Sequence, residues 1–517
     1  MPGRLVQSAG ALVLAVGTLG GCGNDDGDEL ASLVPPDAPL YAEALVRPGG
    51  DQLDAIESLT DRVAGVEDPG AQIVSALDKE LRADAPGVSY EEDVEPWLGD
   101  HAAIFVRSFE RSAVRPEGDF AVLLEVTDAD AAGDLVDRVA EEDPEPEVKR
   151  SYHGTDYLYA KDSGGFAVGV VDSSALVLGT EMAFKVAVDA AEGESLAASS
   201  EYDRGIDALP DEPLASAWVD PDTVVQAALA NENLPRSEAG AIKSLFAGSL
   251  SDPVALGVSA TADSASLDMD AAAEAPGAGE ESPLLDSLPA DSWLGAALPD
   301  LGPTLVGSFD RLTSSGLPGA RMLGRRIRET TGLDLGHDVL DWLGDAAFFV
   351  QGTGVPGFSA GLIAQTSDPA APRPLLAAVE RLAERDSGLR SSGPPDGADA
   401  GFTIGVPGLG AGAEAGVAGR TLAAVIGTTL GQALDPDNTL GDDPRFAAAR
   451  DILGADLAPL IYLHLPSFLR IAAQGGADRD PDFARFAPYA AKFDTLLVGS
   501  RTDDGLLIAR ATLSLAP

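Results

Sequence analysis

The chain has 517 residues, 45% of them hydrophobic, and carries 84 acidic against 34 basic side chains for a formal net charge of −50. That is material for two cores, and the charge argues against nucleic-acid binding driven by neutralised phosphates and against electrostatic adsorption to anionic lipid. One cysteine excludes intrachain disulfides, so stability must come from packing.

Arg4 is followed by the apolar run Ala11-Leu12-Val13-Leu14-Ala15-Val16 and by small residues ending in Leu19-Gly20-Gly21-Cys22. The run is too short to cross a hydrocarbon core of ~30 Å, and its flanks are those of a secretory signal. The segment resembles a bacterial lipoprotein signal, whose lipobox is a Leu, two small residues and an invariant Cys. The resemblance implies a signal peptide over 1–21 and a diacylglyceryl group, with palmitate, on Cys22. Residues 23–32 hold Asn24, Asp25, Asp26, Asp28 and Glu29 and no aromatic, so residues 22–32 are expected to be a solvated acidic tether.

The mature chain reads as one design written twice, over 33–272 and 287–517, with a Pro, Gly, Ala and Glu linker over 273–286. Each copy opens on proline and Asp before a strand, at Pro35-Pro36-Asp37 and Pro289-Ala290-Asp291. Apolar residues three and four apart then predict helices, at Leu53, Ile56, Leu59 and Val63 and at Ile73, Val74, Leu77 and Leu81. Their counterparts are Leu305, Phe309 and Leu312, then Met322, Leu323 and Ile327. Next comes Asp-Val-x-x-Trp-Leu-Gly-Asp, at Asp93 to Asp100 and at Asp338 to Asp345.

This frame is the sharpest repeated motif. Asp93 and Asp338 suit helix N-caps, Pro96 a first helical turn, and Gly99 and Gly344 a left-handed helix end. A short helix of about one turn is expected, followed by strands over 102–106 and 346–350. Asp100 and Asp345 are candidate paired acids, although capping chemistry accounts for the motif without them.

Strands are expected at 120–126 and 360–366, each ending at an Asp (Asp128, Asp368) that caps a helix, with Pro369 at its first position. A meander follows at 157–160, 166–170 and 175–178, turning at Asp162 to Gly165 and Asp172-Ser173. The second copy keeps strands at 402–405 and 422–426 around a glycine-rich connection, after a flexible stretch at 391–400. Each copy then has a strand (217–219, 461–463) and a closing hairpin, over 254–272 and 496–515. The fold class is therefore α+β: two homologous tandem halves, each a largely antiparallel sheet with packed helices. The strands alternate poorly, so helices should cover both faces. The proline-Asp opening, the Trp-Leu-Gly-Asp corner and the strand ending in Asp resemble a family of actinobacterial envelope proteins described only as a domain of unknown function. The resemblance implies location and architecture, and no activity.

Chemical motifs are sparse. Gly357-Phe358-Ser359-Ala360-Gly361 has the G-x-S-x-G pattern of a nucleophile elbow, which needs a strand before Ser and a helix after it; here a strand should follow. His101, His153, His337 and His464 form no i, i+4 pair and no zinc motif. Gly408-Leu409-Gly410 lacks a phosphate-loop spacing. Asp435 to Gly441 is near a calcium loop but has glycine one position late and no twelfth-position Glu. No catalytic residue, cofactor or metal is expected, and Cys22 is the one site residue. The expected protein sits on the outer face of the cytoplasmic membrane, a non-catalytic binding or scaffold protein whose partners are that membrane, through its N-terminal diacylglyceryl-cysteine, and an unknown envelope protein. The alternatives are a carrier of a lipid or other hydrophobic ligand and, less well supported, a serine hydrolase.

Overall fold

The computed structural model describes residues 28–85, 87–109, 118–142, 148–160, 165–211, 213–229, 252–271, 282–306, 328–334, 336–354, 357–387, 390–405, 412–503 and 505–516. Cys22, the signal segment, Gly408 to Ala411 and the helical stretch expected around Phe309 to Ile327 lie outside these residues. The chain divides into two compact units, Met1–Ala273 and Glu274–Pro517.

Among its described residues the first unit has ten strands: β1 (Leu40–Leu45), β2 (Leu98–Ser108), β3 (Asp119–Val126), β4 (Val148–Tyr152), β5 (Thr155–Ala160), β6 (Phe166–Val171), β7 (Ala175–Thr180), β8 (Ala215–Val219), β9 (Val254–Ala260) and β10 (Ser264–Ala271). All pair antiparallel, in the order β10-β9-β8-β1-β2-β3-β7-β6-β5-β4. Strands as continuously apolar as Phe120-Ala121-Val122-Leu123-Leu124 bury both faces. One face packs Tyr41, Phe105, Leu123 and Val177 under Phe184 and Val188 of helix Glu181–Glu192. The other packs Ala102, Val122, Leu124 and Leu176 under Leu77 of helix Pro69–Asp84 and Ala132 of helix Ala129–Glu142. Each fully buried Leu or Phe contributes ~1.5–3 kcal/mol of transfer free energy, so both faces are held.

The second unit has β11 (Ser292–Leu298), β12 (Leu343–Gln351), β13 (Ser359–Thr366), β14 (Ser391–Ser392), β15 (Ala400–Ile404), β16 (Ala413–Ala418), β17 (Thr421–Ile426), β18 (Ala458–His464), β19 (Phe493–Asp503) and β20 (Leu506–Leu515). They pair antiparallel in the order β20-β19-β18-β11-β12-β13-β17-β16-β15-β14. This is the strand order of the first unit, strand for strand.

Several expectations are corrected. The tether is shorter than residues 22–32, because Leu30 and Ala31 lie in the first unit's core beside Leu33. The linker likewise ends before residue 286: Leu284 and Leu285 are buried, and a side chain on Gly295 of β11 would press on Leu285. The polar sequence Val148-Lys149-Arg150-Ser151-Tyr152 is an edge strand, and its turn is set by positive φ at His153 and Gly154. In the second unit the glycine-rich connection holds the middle strand β16, while Ser391-Ser392 pairs with Ile404 and Thr403. Asp368 caps a turn (Ala370 N to Oδ1, 2.8 Å), and the helix starts later, at Arg373.

Candidate functional site

At the repeated motif the helical turn begins before the frame and ends within it. Residues Tyr90–Val94 and Gly336–Leu340 each make one wide turn, closed by bonds from Glu95 N to Tyr90 O (2.8 Å) and from Asp341 N to Gly336 O (3.1 Å). Asp93 and Asp338 therefore sit inside a turn and reach back: their Oδ2 atoms accept from Ser89 N (2.8 Å) and Asp334 N (2.7 Å). Each motif Trp donates its indole N–H to the carbonyl of that Asp, Trp97 at 2.6 Å and Trp342 at 2.7 Å. The Trp carbonyls accept from Thr127 N (2.8 Å) and Ser367 N (3.0 Å) at the ends of β3 and β13. The motif is a clamp that ties a turn to two strands.

Gly99 and Gly344 belong to strands rather than left-handed helix ends, and neither has a positive φ. At Gly99 the need is space: a Cβ there would strike the Glu125 side chain, which accepts from His101 N at 2.8 Å. The candidate acids do not pair as a site. Asp100 is exposed, while Asp345 Oδ1 accepts from Asp300 N at 3.1 Å.

An apolar cleft lies against the first corner. It is lined by Val46 beyond β1, Leu53 and Ile56 of helix Gly50–Ala64, Ile73 and Leu77 of helix Pro69–Asp84, and Tyr90 and Leu98 of the corner. Its volume is about 70 Å³, below the ~150 Å³ of a cavity that admits benzene. Arg47 stands beside the corner, its Nη1 donating to Leu98 O (2.7 Å) and Glu95 O (3.2 Å). Burial pushes the Tyr90 phenol up, against the pull of Arg47.

Next to the corner, β1 and β2 bury a polar group that the sequence did not disclose. Glu43 and His101 contact at 2.7 Å, and the Tyr41 hydroxyl donates to the same carboxylate. Burial would lower the imidazole, but Glu43 overcomes it, aided by Glu125 and Asp100, and raises the His101 pKa above its usual 6.5.

The other histidines do not join it. His153 is exposed beside Glu192 (3.1 Å), and the side chain of His337 lies outside the described residues. His464, in the second unit, contacts Ser467 Oγ through Nδ1 (2.9 Å) and Asp494 Oδ1 through Nε2 (3.3 Å), with Arg445 Nη1 at 3.4 Å from Nε2. Burial, then Arg445, lowers the His464 pKa. Ser467 is the third residue after His464 at the start of helix Leu465–Gln474. Asp220 and Thr223 hold the same place after β8 and contact each other likewise (2.6 Å) without an imidazole, so we read the Ser–His contact as part of a helix start. His-x-x-Ser before an apolar helical run was its sequence signal.

Ser359 is buried as the first residue of β13, with its hydroxyl donating to Gln351 Oε1 at 3.0 Å. A strand follows it, and Gln351 occupies the position that a base would need. Around Asp435 to Gly441, Asp442 Oδ2 accepts from the amide (3.1 Å) and hydroxyl (2.9 Å) of Thr439, which makes a capped turn. Among the described residues no three His, Cys, Asp or Glu side chains converge as a metal site.

The most connected carboxylate is Glu181. Partial burial alone would raise it; donors from Lys185 (2.9 Å), Tyr157 (2.8 Å) and Arg150 (2.6 Å) hold it down to about 2. Because its folded pKa lies below the ordinary 4.5, its contribution is complete above that value and is lost as pH falls toward 2. Glu181→Gln is therefore expected to flatten the acid limb of stability between these pH values, read by urea unfolding at stepped pH. An unchanged limb would remove Glu181 from the acid response.

A family described as "Protein of unknown function (DUF3352)" matches residues 5–474. The chain belongs to this family. Its match runs through both units and includes both Trp-Leu-Gly-Asp corners. No curated protein matches the chain. Among solved structures, two crystal forms of TP0453 align at 10% identity over 47% of this chain, with TM-scores of 0.25 and 0.24, covering 79% and 78% of those chains. Likeness at that level carries no argument about function.

Proposed function

We propose that this DUF3352 protein is a lipid-anchored, extracytoplasmic binding or scaffold protein without catalytic activity, built of two homologous halves and held on the outer face of the cytoplasmic membrane. The observation that carries the reading is Leu19-Gly20-Gly21-Cys22, a lipobox pattern ending in the only cysteine of the chain. Duplication is supported by the shared strand order and by the paired contacts Trp97–Asp93 and Trp342–Asp338. Among the described residues no helix is long and apolar enough to cross a membrane, so a lipid on Cys22 would serve as the anchor.

The second reading, a carrier of a hydrophobic ligand, draws on the apolar cleft beneath helices Gly50–Ala64 and Pro69–Asp84. Its ~70 Å³ is small beside the ~300–1,000 Å³ of ordinary ligand pockets, which favours the scaffold. Cys22→Ser is expected to abolish metabolic palmitate labelling and to move the protein from the membrane pellet to the soluble or secreted fraction. Unchanged labelling and pelleting would sink the anchor. Native mass spectrometry separates the other choice: a stoichiometric lipid makes the protein a carrier, and an apo mass supports the scaffold.

A further inference from the structure

We infer that helices Leu465–Gln474 and Pro481–Ala490 of the second unit rest on the lipid surface, giving the protein a membrane contact beyond its anchor. Both helices are amphipathic, yet the first has no buried residue and the second only Ala490. Apolar side chains face outward instead: Phe486 is 68% exposed, Tyr489 47% and Phe468 40%. Phe486 and Tyr489 are three residues apart and so share one helix face.

Charge selects the occupant. Residues 465–492 carry Arg470, Arg479, Arg485 and Lys492 against Asp478, Asp480 and Asp482, an excess of one positive charge in a chain of net −50. Two of those acids have partners: Asp480 caps the second helix through Asp482 N (2.8 Å), and Asp482 pairs with Arg485 (2.9 Å). Exposed aromatics flanked by arginine and lysine suit the headgroup boundary of a bilayer.

The test uses the full chain with Cys22→Ser, which removes both the anchor and the only native thiol. An environment-sensitive fluorophore is placed at Phe486→Cys or, as control, at the exposed Asp437→Cys. Phosphatidylethanolamine–phosphatidylglycerol vesicles are expected to shift emission to the blue at 486 and leave 437 unchanged. Phe486→Asp with Tyr489→Asp should lower the fraction floating with vesicles several-fold while the thermal melt stays in place. No shift at 486, equal shifts at both sites, or a shift at 486 that grows with protein concentration without vesicles would overturn the contact, the last by making it a self-association surface. Palmitate labelling of the wild type reports the anchor independently, so either idea can fail alone.

Discussion

Trp97→Ala is expected to destabilise the first unit by ~3–5 kcal/mol, the cost of emptying a large aromatic site in a packed core. Trp97 is 2% exposed and packs among Leu77, Leu98 and Val126. The substitution also frees the part-buried Asp93 carbonyl that its indole N–H satisfies at 2.6 Å, which adds to the cost to the extent that water does not replace the donor. Trp97→Phe separates the two contributions, since it keeps most of the volume and loses the donor. Trp342→Ala should act on the second unit in the same way, because Trp342 is buried and donates to Asp338 O at 2.7 Å. Urea unfolding followed by far-ultraviolet circular dichroism, which does not depend on the removed fluorophores, reads both. A loss below ~1 kcal/mol, the range of ordinary surface substitutions, would mean that the clamp does not pin the corner.

Stability should also fall as pH rises above about 6.5 and through the raised pKa of His101, which belongs to the buried Glu43–His101 pair. The folded pKa of His101 lies above 6.5 because Glu43, at 2.7 Å, outweighs the burial of the ring. The contribution is therefore fully present below about pH 6.5 and is lost as pH rises through the folded pKa. Glu43→Gln should remove that slope and cost ~3–5 kcal/mol at pH 6, as when one partner of a buried ion pair is deleted. Urea midpoints from pH 5.5 to 8.5 test this. If the wild type and Glu43→Gln show the same pH slope, the pair does not control stability in that window.

The corner shows what was legible and what was not. Its residues announced themselves by repetition, and the strands after it followed from apolar runs. Part of the frame's chemistry was legible too: an Asp accepting a backbone N–H group. The direction was wrong, because Asp93 accepts from Ser89 N, behind it, rather than from a helix ahead of it. Gly99 is required by Glu125, a neighbour on another strand, and no local rule contains that fact. The strand that follows Ser359 was readable in the sequence, whereas its Gln351 partner was not.

By itself, the sequence determined an α+β architecture, its hairpins, and strands apolar enough to be buried on both faces. Those properties are local: apolar periodicity, turn residues and caps act within a few positions of the chain. Only the tertiary structure decided that β1 lies between β2 and β8, that a polar run such as Val148–Tyr152 completes a sheet edge, and that Leu30 belongs to the core. It also decided that Glu43 and His101 share a buried site while Phe486 does not find one. Each depends on which distant segments meet, and strand pairing and the burial of both sheet faces settle that together.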